Sequence, residues 1–139
     1  MIQPSRLVVG ISGSSAPHYG IALLRMLRGF EIVETHLVLS RGARRTIELE
    51  AEMDPEDVIA LADVYHDPDD LAAPISSGSF QTIGMVVAPC SMKTLAAISH
   101  GYTEDLLARA ADVTLKERRR LVLVTRETPL NLIHLRNMV

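Results

Sequence analysis

The sequence predicts a three-layer α/β/α domain with a doubly wound parallel sheet. Short apolar runs recur with helical patterns between them, and the loops after those runs collect small, hydroxyl and charged residues. Strands that alternate with helices pair in parallel through right-handed crossovers, and a strand covered on both faces reads as an unbroken apolar run. The first run, Leu7 to Ile11, passes through "GISGSSAPHYG" into an amphipathic helix over Ile21 to Leu27. The second, Ile32 to Leu39, precedes helical spacing over Ala43 to Leu49 and Val58 to Ala62, with a weaker run near Val64. Met85 to Ala88 leads into Thr94 to Ser99 and Leu106 to Val113, and Leu121 to Thr125 reads as a central strand. No repeat, linker or low-complexity tract interrupts the pattern, so residues 1–139 are expected to form one domain.

With 139 residues and 47% hydrophobic content, the chain is long enough to bury a sizeable core. A net charge of -3 and only 4% aromatic residues leave neither a basic field nor stacking platforms, so nucleic acid is not an expected partner. The single Cys90 excludes an internal disulfide and a Cys-rich zinc site, and no histidine pair has the spacing of a helical metal site; no metal is expected. The N-terminus lacks a signal peptide's apolar core, and no apolar run approaches the roughly 20 residues that span a bilayer. A soluble, cytoplasmic protein without a membrane partner is the expectation.

Sheets of this class bind ligands outside the carboxyl ends of their strands, which selects four loops: "SGSSAP", "SRGARR", "PCSMKT" and "TRETPL". In the first, Gly13 lets backbone approach a ligand, free amides at a helix start favour an anion, and Ser12, Ser14 and Ser15 add hydroxyls. The alternative is a plain turn with a helix cap. The fingerprint G-x-G-x-x-G is absent, because Ser12 stands at its second Gly, and so is a loop ending in Gly-Lys-Ser/Thr; a mononucleotide with one phosphate fits better. Ser40 with Arg41 in the second loop, and Ser91, Met92, Lys93 and Thr94 in the third, can meet the same anion.

The segment "AADVTLKERRRLVLVTRETPL" places Arg109, Lys116 and Arg126 around a second anion site, since guanidinium forks and an ammonium suit phosphate. Arg118 to Arg120 read equally as a solvated helix end suited to the C-terminal dipole. Glu127 has two readings, an ion-pair partner orienting Arg126 or a general acid/base. Glu50 reads as a solvent-facing carboxylate, and Cys90 as a small apolar filler. The "ISSGSFQT" stretch, with Ser77, Gly78 and Phe80, is a wall for a flat ring or a plain loop.

Taken together, "VGISGSSAPHYG", "ETHLVLS", "ISSGSFQT" and "PCSMKTLAAISHGYTEDLLARAADVTLKERRRLVLVTRETPLNLIHLRNM" resemble, in order and spacing, the UbiX/Pad1 family of flavin prenyltransferases. The resemblance implies a flavodoxin-like fold that binds reduced FMN. It further implies that a dimethylallyl group from dimethylallyl monophosphate or diphosphate is joined to flavin N5 and C6, making prenylated FMN for a UbiD-type decarboxylase. Members typically assemble as homododecamers, with each site at a subunit contact. By the same resemblance Gly13, Ser14, Ser15, Ser40, Ser91, Met92, Lys93, Thr94 and Arg126 hold FMN. Glu50, Ser77, Gly78, Phe80, Arg109, Lys116, Arg126 and Glu127 surround the dimethylallyl phosphate, with Glu50 reaching a neighbouring subunit's site. Ser15, Lys116 and Glu127 carry the chemistry: Ser15 manages the N5 proton, and Glu127 is acid/base near the departing phosphate.

Two departures stand out. Ala16 replaces a Gly of the family's first loop, and Pro17 stiffens the helix start. The residues also stop at Val139 inside a helix pattern, whereas relatives continue into a strand, a Phe-Tyr loop and a final helix, so the lid contacts of that segment are expected to be missing here. That feature keeps a non-catalytic FMN-binding accessory subunit as the alternative. Flavin-dependent cysteine decarboxylases rank below it, because Lys93 and "TRETPL" replace their motif residues.

Overall fold

In the computed structural model, which describes residues 3–139, five strands form one parallel sheet: Ser5–Ile11 (β1), Val33–Leu39 (β2), Val64–His66 (β3), Gly84–Cys90 (β4) and Arg120–Thr125 (β5). Their order is β3-β2-β1-β4-β5, all parallel. The chain steps outward from β1 through β2 to β3, then returns to the other side of β1 for β4 and β5. The order therefore reverses between β1 and β4, where a doubly wound sheet leaves a crevice at its carboxyl edge.

Six helices cover the faces: His18–Leu27 (α1), Arg41–Thr46 (α2), Pro55–Ile59 (α3), Met92–Ser99 (α4), Leu106–Lys116 (α5) and Leu132–Met138 (α6). Alternate strand residues point to opposite faces, and the core divides accordingly. Val9, Ile11, Leu37 and Leu39 pack with Ile21, Leu24, Ala43, Ile47 and Val58 on one face. Val8, Val38, Met85 and Val87 pack with Leu95, Leu106, Leu107 and Ala111 on the other. Helix α1 is drawn so close to β4 that a Cβ on Gly20 would overlap the Ala88 carbonyl and lie 2.7 Å from Ile11 Cδ1. That position admits only glycine without movement of backbone.

Two expectations change. β5 is the edge strand of the described sheet rather than a central one; Leu121 and Leu123 pack on the core while Val122 and Val124 are exposed. The helix expected over Ala43 to Leu49 divides, α2 widening into a π-helical turn over Ile47–Ala51 that ends at Glu52 with φ 50°. Such wide turns re-aim side chains, and this one carries Glu50. Among the described residues, no helix is long and apolar enough to cross a membrane.

Candidate functional site

The crevice between β1 and β4 holds a cavity of about 730 Å³, within the range of small-molecule sites. Gly13, Ser40, Ser91, Lys93 and Thr94 line it, so three of the four selected loops converge there. Ser12 ties the first loop to the third. Its buried hydroxyl donates to the Pro89 carbonyl at 2.7 Å and accepts from the Ser91 N–H at 2.8 Å. It is therefore a brace, and its hydroxyl is not free for a ligand as expected.

The other serines separate the plain-turn reading from the anion reading. α1 has no side-chain cap; Pro17 stands at its N-cap. Ser14 Oγ is buried without a hydrogen-bond partner among the described residues, a state that costs about 1–3 kcal/mol unless a ligand or water fills it. Ser40 and Ser91 cap α2 and α4, accepting from Ala43 N and Thr94 N at 3.1 Å each. Capping leaves the first α4 amides, those of Met92 and Lys93, turned toward the crevice end, with Lys93 on its wall and the Met92 side chain packed on the core. Free amides at a helix start and one ammonium on the crevice wall fit a phosphate-bearing ligand.

The cavity's other end was not anticipated. Arg41 and Asp69 form an ion pair on its rim, and His100, Tyr102, Glu104 and Asp105 continue the wall. Asp69 arrives because Leu106 N donates to Pro68 O at 2.8 Å, which ties the Asp67–Asp70 turn to the start of α5. Carboxylates at this end suit the hydroxyls of a ribityl chain, which donate, and the cationic end suits its phosphate.

Glu50 is exposed, as expected, and at the same time bonds the first loop of its own chain. It accepts from Ser15 Oγ at 3.2 Å and from Ala16 N at 3.3 Å. Ala16 itself has φ 68°, a left-handed conformation that disfavours any residue with a Cβ. Arg126 is exposed; its N–H bonds Cys90 O at 3.3 Å, which seats the 126–131 loop beside the start of α4. Glu127 accepts from Thr128 N at 3.1 Å, and no Arg126–Glu127 ion pair forms among the described residues. Burial pushes the Cys90 thiol up to about 12, so it carries no thiolate at neutral pH and serves as filler.

The remaining expected residues gather elsewhere, along α5. Arg109 Nε donates to Ser76 O at 3.2 Å and its guanidinium pairs with Asp112 at 3.5 Å. Lys116 Nζ donates to Glu117 Oε1 at 2.6 Å, and this contact holds the Glu117 carboxyl below its usual range. Ser77 bonds Ser79 at 2.9 Å. Phe80 does not wall the cavity; it packs inward with its ring under the Arg6 guanidinium at 4.1 Å and edge-on to His36 at 5.2 Å. Six strand residues at about 3.3 Å each put Lys116 and Arg126 roughly 20 Å apart across β5. Within one chain Lys116 therefore lies at the amino end of β5, opposite the crevice, and Arg126 at its carboxyl end.

The geometry can be set beside known proteins. The Flavoprotein family model matches residues 1–137. A probable UbiX-like flavin prenyltransferase of Streptomyces sp. (strain D7) is 63% identical over 134 residues, covering 96% of this chain and 67% of that protein. The flavin prenyltransferase UbiX of Escherichia coli (strain K12) is 62% identical over 133 residues, covering 96% and 70%. Among solved structures, AnUbiX (PadA1) in complex with FMN and dimethylallyl pyrophosphate superposes with a TM-score of 0.96 at 57% identity, covering 98% of this chain and 72% of that one. A dodecameric FMN-dependent UbiX-like decarboxylase from Escherichia coli O157:H7 gives 0.95 at 59%, covering 96% and 73%. The peptidyl-cysteine decarboxylase EpiD, at 15% identity and 0.74, shares the fold. The chain belongs to the Flavoprotein family and, within it, to the UbiX-type flavin prenyltransferases.

Proposed function

We propose that the protein joins a dimethylallyl group, taken from dimethylallyl monophosphate or diphosphate, to reduced FMN. The observation that carries this reading is the crevice at the β1–β4 reversal, where hydroxyls, free amides and Lys93 converge on one anion seat while Ser14 Oγ lacks a partner. Gly13, Ser14, Ser40, Ser91, Met92, Lys93 and Thr94 would hold the FMN phosphate end, and Asp69, Glu104 and Asp105 its hydroxyls. Reduced FMN, when bound, supplies the nucleophilic ring positions N5 and C6.

The chain's own residues then do three things. Arg109, Lys116 and Arg126 neutralise the departing phosphate, a role fixed cations perform without reorganising. Ser15, which donates to Glu50, would pass a proton, and Glu127 would give or take one at the leaving oxygen. Because Lys116 and Arg126 lie at opposite edges of one chain's sheet, a site using both draws them from different subunits. The dodecameric relative supports such a homo-oligomer. We place the reaction in the cytoplasm, where Cys90 stays reduced, and take a UbiD-type decarboxylase as the recipient of prenylated FMN.

Incubation with reduced FMN and dimethylallyl monophosphate or diphosphate under anaerobic conditions should yield flavin heavier by one prenyl unit. Glu127→Gln should keep flavin and stop transfer. Bound FMN that stays unmodified with the unaltered protein would instead indicate a non-catalytic carrier.

A further inference from the structure

Arg119 is assigned no role above, yet it is the side chain that organises the loop beside Lys116. The chain leaves α5 through Arg118, whose φ is 57°; the N–H groups of Arg118 and Arg119 return to Leu115 O and Thr114 O at 3.0 and 2.9 Å. A left-handed stop of this kind folds the chain back sharply. It lays the half-buried Arg119 side chain on the 78–80 loop, where Nη2 donates to Gly78 O at 2.7 Å and Nη1 to Phe80 O at 3.1 Å. The loop is pinned from its other side too, because the Phe80 ring is held by Arg6 and His36. Lys116 rests directly on this fixed surface: a Cβ at Gly78 would sit 3.0 Å from Lys116 Nζ and overlap the Glu117 carboxylate.

We propose that Arg119 is a positioning residue for the donor's phosphate, acting by clamping the Gly78 and Phe80 carbonyls so that Lys116 stands on a rigid floor. The inference rests on the donor-site reading of Lys116 and the 77–80 loop. Lys116 and Arg119 then have separate tasks. Lys116 has a long flexible stem, and a grip on phosphate from it is only as good as the surface that limits its rotamers. Arg119 has both guanidinium arms on main-chain carbonyls, so it acts through the loop rather than on the phosphate. A fork reaching two carbonyls at once is a property of guanidinium that an ammonium reproduces in part.

The test is steady-state prenyl transfer at saturating reduced FMN, varying dimethylallyl monophosphate and, separately, the diphosphate, for the unaltered protein, Arg119→Gln and Arg119→Lys. FMN affinity, thermal midpoint and amide hydrogen exchange over residues 76–82 are measured alongside. Arg119→Gln is expected to raise the donor KM about tenfold while kcat stays within about threefold, since misplacing a binding group acts on positioning. FMN affinity should be unchanged, exchange at 78–80 faster, and Arg119→Lys intermediate. An unchanged donor KM in Arg119→Gln overturns the inference, as does a parallel loss of FMN affinity and donor KM, which marks a general folding defect. If Arg119→Gln fails to fold, the same split in Arg119→Lys decides. Absence of transfer by the unaltered protein sinks the functional reading and this inference together, whereas normal transfer with a normal donor KM in Arg119→Gln sinks the inference alone.

Discussion

The crevice between β1 and β4 and the corner where α5 turns into β5 use the same side-chain types, yet only the crevice closes within one chain. In the crevice, Ser12, Gly13, Ser40, Ser91, Lys93 and Thr94 come from three loops and are braced by hydrogen bonds reaching 77 and 79 residues along the sequence. At the corner, Arg109 and Lys116 lie on α5 beside the 76–80 loop, with Arg126 and Glu127 a strand's length from Lys116. The difference teaches that the crevice is completed by the fold of one chain, whereas the donor grip proposed above needs assembly.

The sharpest way to break that contrast is subunit mixing. Lys116→Ala and Glu127→Gln should each lower transfer by about 100-fold or more, near 2.7 kcal/mol of barrier, with flavin retained. Co-assembled in equal amounts, the two variants should regain activity in about a quarter of sites if each site takes these residues from different chains. A mixture that stays inactive would show that one chain supplies both.

A smaller effect tests the brace. Ser12→Ala leaves the Pro89 carbonyl and the Ser91 amide unpaired in a buried place and should cost about 2–3 kcal/mol by denaturant unfolding, with weakened FMN binding. Ser40→Ala removes an exposed-end cap and should cost about 1 kcal/mol. Equal losses would mean the crevice has no special linchpin.

Acid should separate the two regions further. His66 is buried, bonded to His36 at 3.0 Å, and His36 bonds Glu34 at 2.7 Å while touching Phe80. Burial and the nearby His36 lower the His66 pKa below 6.5, although Asp70 opposes this. A lowered folded-state value means stability is fully present above about pH 6.5 and is lost as the pH falls through that folded value. Protection of the 76–82 amides, taken relative to the intrinsic exchange rate at each pH, should therefore fall from pH 7 to 5 before that of 91–95 does, and His66→Gln should flatten the trend. The smallest effect is Ala16→Gly, which relieves a left-handed alanine and should stabilise by about 0.5–1 kcal/mol in thermal unfolding.

Which parts were legible in the sequence follows from how local their causes are. β1 and β4 were the most readable strands, because the apolar runs Val8–Ile11 and Met85–Ala88 are buried on both faces. Gly13, Ser40, Ser91, Lys93 and Thr94 were readable because a parallel sheet delivers every such loop to one edge. Asp69 and Glu104 were not, since they reach the cavity through the Pro68–Leu106 hydrogen bond, a contact with no signature in spacing. β5 was misjudged as central because Leu121 to Thr125 is as apolar as a buried strand, and only pairing reveals its open side. The packing of Phe80 was not legible, because its partners, Arg6 and His36, come from β1 and β2. Arg119 was hidden among three consecutive arginines, and the left-handed Arg118 alone distinguishes it.

The Ser12 brace has a bearing on biogenesis. Since one hydroxyl clasps the first loop to residues encoded far downstream, a nascent polypeptide still lacking Pro89 and Ser91 has no completed receptor for the vitamin-derived ligand. Under the proposed function, flavin loading is therefore expected to follow synthesis of β4.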